Sequence, residues 1–70
     1  MRIRLTDETL LADLLRFMRA SGCIAYYQAE PESIEVLRLR AFGEKEFSEI
    51  TVLLDRWSAE HPEAEPEVLG

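Results

Sequence analysis

Apolar and charged residues alternate along the segment 2–5, where arginines flank Ile3 and precede Leu5. This two-residue period is typical of a short strand with its aliphatic side chains facing inward. Further along, the apolar spacing changes to three and four residues, which predicts an amphipathic helix. Asp7, or the threonine before it, can cap this helix, and Gly22 suits the left-handed position that ends it. The apolar stripe consists of Leu10, Leu11, Leu14, Leu15, Phe17 and Met18.

The second half of the pattern predicts a hairpin, a helix and a last strand. The segments 23–27 and 34–39, CIAYY and IEVLRL, are predicted to pair across a polar loop of about six residues, 28–33. A helix is predicted over 44–60 and ends at a His-Pro pair, because proline disfavours helical geometry in the residue before it. The tail 64–69 alternates and suits an edge strand, where a proline is tolerated. The core stripe of the second helix is predicted to be Phe47, Ile50, Leu53, Leu54 and Trp57.

The predicted order of elements is β-α-β-β-α-β, which indicates a single α+β domain of the ferredoxin-like class over residues 1–70. Such a domain has a four-stranded antiparallel sheet with strand order 4-1-3-2 and both helices on one face. Its other face has no helical cover. The two hairpin strands are nevertheless apolar on both sides, as is expected only of strands covered on both faces. We therefore expect a partner on the open face.

Two assignments of the hairpin to the two faces are compatible with the pattern. Pairing Tyr27 with Ile34 across the hairpin also places Ala25 opposite Val36. In the first assignment, Ile24, Tyr26, Leu37 and Leu39 join Ile3 and Leu5 beneath the helices, and in the second assignment they lie on the open face. Either assignment leaves an apolar patch on the open face, and we expect a second copy of the chain to cover it in a homodimer. With the first assignment, the candidate interface consists of Cys23, Ala25, Tyr27, Ile34 and Val36.

Arginines are expected to gather at the other end of the open face, because the first and third strands run antiparallel. A group of four arginines suits an anion. The alternative is a cross-strand charge ladder, in which glutamates of the last strand neutralise the arginines of the first. The arginines are Arg2, Arg4, Arg38 and Arg40, and the ladder sets Glu65 opposite Arg4 and Glu67 opposite Arg2.

Composition narrows the possible partners. Fourteen acidic against eight basic residues give a net charge of −6, and the excess lies in residues 44–70. An acidic surface repels phosphate backbones, which argues against nucleic-acid binding. A lone cysteine, no secretory leader and no long apolar segment predict a cytoplasmic protein without a membrane span.

Candidate chemistry is sparse. Cys23 and His61 are the single cysteine and the single histidine, and their number does not suffice for a metal site. Ser21, Cys23 and His61 are predicted to lie at separate ends of the fold, beyond the reach that nucleophile and base require. The turn after the first strand, LTDE, has no glycine to approach a phosphate. We expect no catalytic, metal or cofactor site, and no enzyme activity.

Three motifs carry a resemblance to a known family: the opening RIRL, a helix ending in S-G-C, and W-x-x-x-H-P before E-x-E-V-L. Together they resemble a family of short bacterial proteins, many from high-GC Gram-positives, that has no assigned activity. The resemblance covers nearly the whole chain and implies no mechanism. The predicted function is a non-catalytic structural or protein-interaction module. The alternative is a regulatory domain that binds a small metabolite, although amino-acid-binding domains of this class commonly have a glycine in the first turn.

Overall fold

A four-stranded antiparallel sheet and two α-helices form the molecule in a computed structural model that describes residues 1–69. Short 3-10 helices precede the first α-helix and the last strand. The strand order is β2-β3-β1-β4, so that β2 and β4 are the edges. The predicted α+β class, with its sheet and two helices, is confirmed. The elements are β1 (Arg2–Leu5), α1 (Leu11–Ala20), β2 (Ile24–Ala29), β3 (Glu32–Leu37), α2 (Glu44–Glu60) and β4 (Pro66–Val68), with the 3-10 helices at Glu8–Leu10 and Pro62–Ala64.

The ends of the helices follow from local chemistry. The Asp7 carboxylate accepts a hydrogen bond of 3.1 Å from the backbone N–H of Thr9, and the chain enters α1 through a 3-10 turn. Gly22 has a φ of 88°, the left-handed conformation that was predicted to end α1. The bounds of α2 coincide with the predicted segment 44–60.

The hairpin has the predicted register. Tyr27 pairs with Ile34, and Ala25 pairs with Val36. The pairing continues to the ends of both strands, so that only Glu30 and the proline after it connect them, rather than a loop of six residues. The segment 28–33 was predicted to be a loop because it is polar. Polar residues are nevertheless compatible with a strand when one face of the sheet is in contact with water, so the polar composition did not exclude these additional pairs.

The register between β1 and β3 decides which hairpin residues lie beneath the helices. Arg2 pairs with Glu35, and Ile3 pairs with Ile34. Because alternate residues share a face, Ile34 and Val36 lie on the same face as Ile3. The expected register set the β1 arginines against the arginines that follow β3. It differs from the observed one by an odd number of residues, and such a shift exchanges the two faces of a strand.

The structure therefore corrects the expected placement of the candidate interface. Cys23, Ala25, Ile34 and Val36 are all buried on the covered face, within one core cluster that includes residues of both helices. Tyr27 lies on the same side of β2, but its side chain is 50% exposed. The second assignment is the one observed, since Ile24, Tyr26 and Leu37 alternate with these residues and are exposed.

The core of α2 differs from the predicted stripe at one position. Ile50, Leu54 and Trp57 are buried, whereas Phe47 is 56% exposed. Phe47 lies in the first turn of α2, ahead of the first residue of that helix that reaches the core. The prediction that Phe47 is a core residue was wrong.

Candidate functional site

An apolar area lies at one end of the open face. Ile24 pairs directly with Leu37, and Tyr26 follows on the same face of β2. Their side chains are 42%, 37% and 42% exposed in the order Ile24, Leu37, Tyr26. We call these three residues the apolar end of the open face. Leu39, two residues beyond the end of β3, is exposed as well.

Charged residues occupy the rest of the open face and are paired within the chain. Arg2 donates a hydrogen bond to the side-chain oxygen of Gln28. The guanidinium of Arg4 lies 2.8 Å from the Glu67 carboxylate. The Glu35 carboxylate lies 2.9 Å from the amino group of Met1. These groups have partners already, whereas the apolar end is covered by nothing within residues 1–69.

The four arginines are not brought together. Arg38 donates from Nη1 to the Ser21 carbonyl at 3.1 Å, and its Nε lies 3.5 Å from Glu49 at the side of α2. Arg2 instead lies opposite Glu35 in the sheet. The exposed Arg40 follows the end of β3. A shared anion site of these four residues does not form.

One rung of the expected charge ladder is present, with a shifted register. Glu67 is opposite Arg4, not Arg2. Glu65 accepts a hydrogen bond of 3.5 Å from the Thr6 hydroxyl instead of facing an arginine. The shift arises because β4 begins only at Pro66, after a 3-10 turn that the alternating pattern did not indicate.

Within the described part of the chain, His61 shares no hydrogen-bond partner with Ser21 and Cys23, which both contact Arg38. The Ser21 hydroxyl donates to the Phe17 carbonyl at 2.9 Å, and Cys23 Sγ lies 3.6 Å from Arg38 Nη1. The bonds of His61 go elsewhere, to the C-terminal part of α2 and to α1. Among the hydrogen bonds of residues 1–69, none joins His61 to either of the other two.

His61 belongs to a polar cluster that sequence reasoning missed. The Trp57 indole N–H donates to Asp13 Oδ2 at 2.8 Å, and the His61 ring stacks on the indole at a centroid distance of 4.2 Å. His61 Nε2 lies 3.4 Å from the same carboxylate oxygen. The indole hydrogen bond, together with the charges of His61 and Arg16, lowers the pKa of Asp13 against a smaller effect of burial. Through these contacts Asp13 connects α1 to the C-terminal end of α2. The helical spacing of Trp57 and His61 was the only available sequence signal.

Glu8, in the 3-10 helix that precedes α1, is a second group with a shifted pKa. The carboxyl of Glu8 contacts that of Glu32, and the hydrogen bond and like charge raise the pKa of Glu8. The same hydrogen bond lowers the pKa of Glu32. The pKa of Tyr27 is raised, first by desolvation and then by the neighbouring Glu32. Two carboxyl groups thus share a site beside β2 in which no salt bridge to a base occurs among the described residues.

Other candidate sites have weaker geometry. A shallow depression of about 400 Å³ lies along α2. Within residues 1–69, no group of three or more His, Cys, Asp or Glu side chains is arranged to hold a metal ion. The described part of the chain has no helix with the length and hydrophobicity needed to cross a bilayer. The depression is lined by Arg38, Lys45, Ser48, Glu49, Val52 and Leu53.

Comparison of the chain with models of protein families, with curated proteins and with solved structures gives no match in any of the three.

Proposed function

We propose that this chain is a non-catalytic protein-interaction module of the ferredoxin-like class that forms a homodimer through the open face of its sheet. The class is supported by the order of elements along the chain, β-α-β-β-α-β. It is also supported by the strand order β2-β3-β1-β4, which is 4-1-3-2 when taken from the opposite edge.

The apolar end of the open face carries the proposal. Ile24, Tyr26 and Leu37 are adjacent, uncharged and between 37% and 42% exposed. Complete transfer of an exposed apolar side chain out of water contributes about 1.5–3 kcal/mol, and each of these three side chains can gain about two fifths of that amount when a partner covers it. Contiguous exposed apolar surface is a feature of interaction sites.

The distribution of charge favours a second copy as the occupant. The arginines of β1 have partners within the chain, since Arg4 pairs with Glu67 and Arg2 donates to Gln28. They therefore do not call for a partner of opposite charge. A two-fold axis parallel to the strands stacks two open faces. Each residue keeps its position along the strand direction in such an arrangement. The apolar end then meets the apolar end of the second copy, and the charged ends remain at the rim.

A domain that binds a small metabolite is the second candidate. The depression of about 400 Å³ beside α2 has the size of a small-molecule site. Its walls include both acidic and basic residues, such as Arg38, Lys45 and Glu49. A thermal-shift screen of amino acids and nucleotides tests it, because a ligand that binds only the folded chain must raise Tm.

Gel filtration with light scattering tests the homodimer with two lysine variants. Leu37→Lys puts a charge in the centre of the apolar end, and we expect it to halve the molar mass measured at micromolar concentration. Val52→Lys is the matched control, because Val52 is 50% exposed on α2, in the layer opposite the open face. It should leave the mass unchanged. A monomeric unmodified chain, or equal masses for the unmodified chain and Leu37→Lys, contradicts the proposal.

A further inference from the structure

The free edge of β2 offers a second kind of surface, made of backbone. The N–H and C=O of Val36 bond to Met1, at 2.7 and 2.8 Å, so that the Val36 backbone faces β1. Backbone direction alternates along a strand, and the neighbouring Glu35 therefore faces β2, where Tyr26 is its partner. It follows that the N–H and C=O groups of Ala25 and Tyr27 point away from the sheet.

The contact of Arg19 agrees with this backbone direction. Its Nε donates to the outward carbonyl of Ala25 at 2.9 Å. A side chain of α1 thus occupies one acceptor of the edge, while the Tyr27 backbone has no hydrogen-bond partner among the described residues outside the β2–β3 ladder.

The two edges of the sheet differ in their protection. β4 has three residues, begins with Pro66 and carries the exposed charge of Glu67, features that discourage pairing with another strand. β2 has six residues, IAYYQA, with neither charge nor proline. An edge of this length and composition is a template for a further strand.

The flank of α1 beside this edge is charged at its two ends. Arg19 lies at one end, against Ala25, and Glu8 lies at the other end, against Glu32 near Tyr27. Between them, Ala12 and Leu15 follow at helical spacing and supply an exposed and a half-buried apolar side chain. The midpoint between Glu8 and Arg19 in the sequence is also the midpoint between Ala12 and Leu15. One two-fold axis can therefore bring each of these residues near its counterpart in a second copy.

We propose that a second copy of the chain pairs with the free edge, its β2 antiparallel to this β2 about a two-fold axis at Tyr26. Ala25 of each copy then exchanges backbone hydrogen bonds with Tyr27 of the other, and the two sheets become one of eight strands. The same axis brings Arg19 of one copy to Glu8 and Glu32 of the other. Between these two charged contacts, the Ala12 and Leu15 side chains of the two copies meet.

Pairing changes the partners of both charged ends. Arg19 leaves the Ala25 carbonyl, which accepts the N–H of Tyr27 of the other copy instead. The two carboxyl groups at Glu8 and Glu32, which form no salt bridge among the described residues, gain a guanidinium. In the single chain the hydrogen bond and like charge of Glu32 raise the pKa of Glu8, and the charge of Arg4 lowers it by less. This edge contact is separate from the open-face contact proposed above, and the two contacts together give a tetramer when their two-fold axes intersect at right angles.

Charge reversal tests the edge contact, in the Leu37→Lys background so that the open face is disabled. This background should be dimeric. Arg19→Glu or Glu8→Arg sets like charges against each other and should weaken the dimer about tenfold or more. The double variant Glu8→Arg/Arg19→Glu exchanges the two charges and should restore it. Arg56→Glu, an exposed reversal on α2, is the matched control and should leave the dimer unchanged.

Amide hydrogen exchange gives a readout that does not depend on any variant. The outward amides of Ala25 and Tyr27 should exchange more slowly as the concentration of unmodified chain rises, while exposed amides of β4 should not respond.

The outcomes separate the two contacts. A Leu37→Lys chain that is monomeric overturns the edge contact and leaves the open-face dimer standing. Association that survives Leu37→Lys undiminished but is lost in Arg19→Glu overturns the open-face dimer instead. Reversals without effect, or a double variant that fails to recover, also overturn the edge contact.

Discussion

The two faces of the β2–β3 hairpin are both apolar, yet only one of them is covered. On the covered face, Ala25 and Val36 are buried under the helices. On the open face, Ile24 and Tyr26 retain two fifths of their exposure, although they are larger than Ala25. In β2 the helices therefore cover the face with the smaller side chains, whereas in β3 they cover Ile34 and Val36 and leave Glu35 on the open face. The side-chain sizes of β2 alone do not decide which face becomes the core side.

Register with β1 makes the decision instead. Ile3 is flanked by arginines, so its face is fixed, and its pairing with Ile34 carries that choice into the hairpin. The observed register places Arg2 opposite Glu35, and unlike charges directly across a sheet stabilise the pairing where like charges oppose it. The open face is thus a consequence of one strand pairing, and it can be probed position by position.

The largest expected difference between the faces is in stability. Ile34→Ala empties a fully buried site on the covered face and should lower the free energy of unfolding by about 2–5 kcal/mol. Leu37→Ala, three residues later on the open face, should cost less than about 1 kcal/mol at concentrations where the chain is dilute and unassociated. Urea unfolding followed by circular dichroism measures both. Equal losses would mean that the two faces are equally buried.

A smaller loss of stability is expected between the two helices, where Trp57 of α2 donates a hydrogen bond to Asp13 of α1. Trp57→Phe keeps a ring in the core and removes the donor, which should cost about 1 kcal/mol in addition to the packing change. Asp13→Asn should then have little further effect in the Trp57→Phe chain. An additive loss in the double variant would show that the hydrogen bond does not couple the two residues.

Trp57→Phe should also change how the free energy of unfolding depends on pH. The indole bond lowers the pKa of Asp13 below its ordinary value of 3.8, so the ionised carboxylate stabilises the fold above that value. The contribution is lost as the pH falls through the lowered pKa. In Trp57→Phe, the Asp13 pKa should rise and the stability should depend less on pH below 3.8. An NMR titration of the Asp13 carboxyl group measures the pKa directly, and an unchanged value contradicts the assigned cause.

The smallest expected effect is on the open face itself. The Arg4–Glu67 pair is close, at 2.8 Å, but both side chains are about half exposed. Glu67→Gln should therefore change the free energy of unfolding by only about 0.2–1 kcal/mol, and the difference should shrink in high salt. A loss of core magnitude would show that this face is less wet than the open sheet implies.

Much of the architecture could be predicted because apolar spacing reports it directly. The three- and four-residue spacing identified α2, the glycine before it and the His-Pro pair after it set its bounds, and the assumed pairing of Tyr27 with Ile34 is the one observed. Gly22 was found because few other residues adopt its positive φ. These features depend on neighbours in the sequence.

The parts that were missed depend on residues far apart in the chain. The covered face was misassigned because the pairing of Ile3 with Ile34 is a long-range choice, and the charges of Arg2 and Glu35 were the signal that could have shown it. Similarly, nothing local indicates that Trp57 finds Asp13 on another helix. The candidate interface consequently moved from one face of the hairpin to the other.

The central claim, that a second copy covers the apolar end of the open face, is tested most directly by isotope-filtered NMR. Chains with 13C-labelled Leu and Ile methyl groups are mixed with unlabelled chains, and only contacts between copies give cross-peaks. Stacked open faces predict cross-peaks from the Leu37 and Ile24 methyls to the Tyr26 ring of the other copy. The absence of such cross-peaks at millimolar concentration, with the methyl groups of Leu37 fully accessible to a dissolved relaxation agent, would contradict the claim.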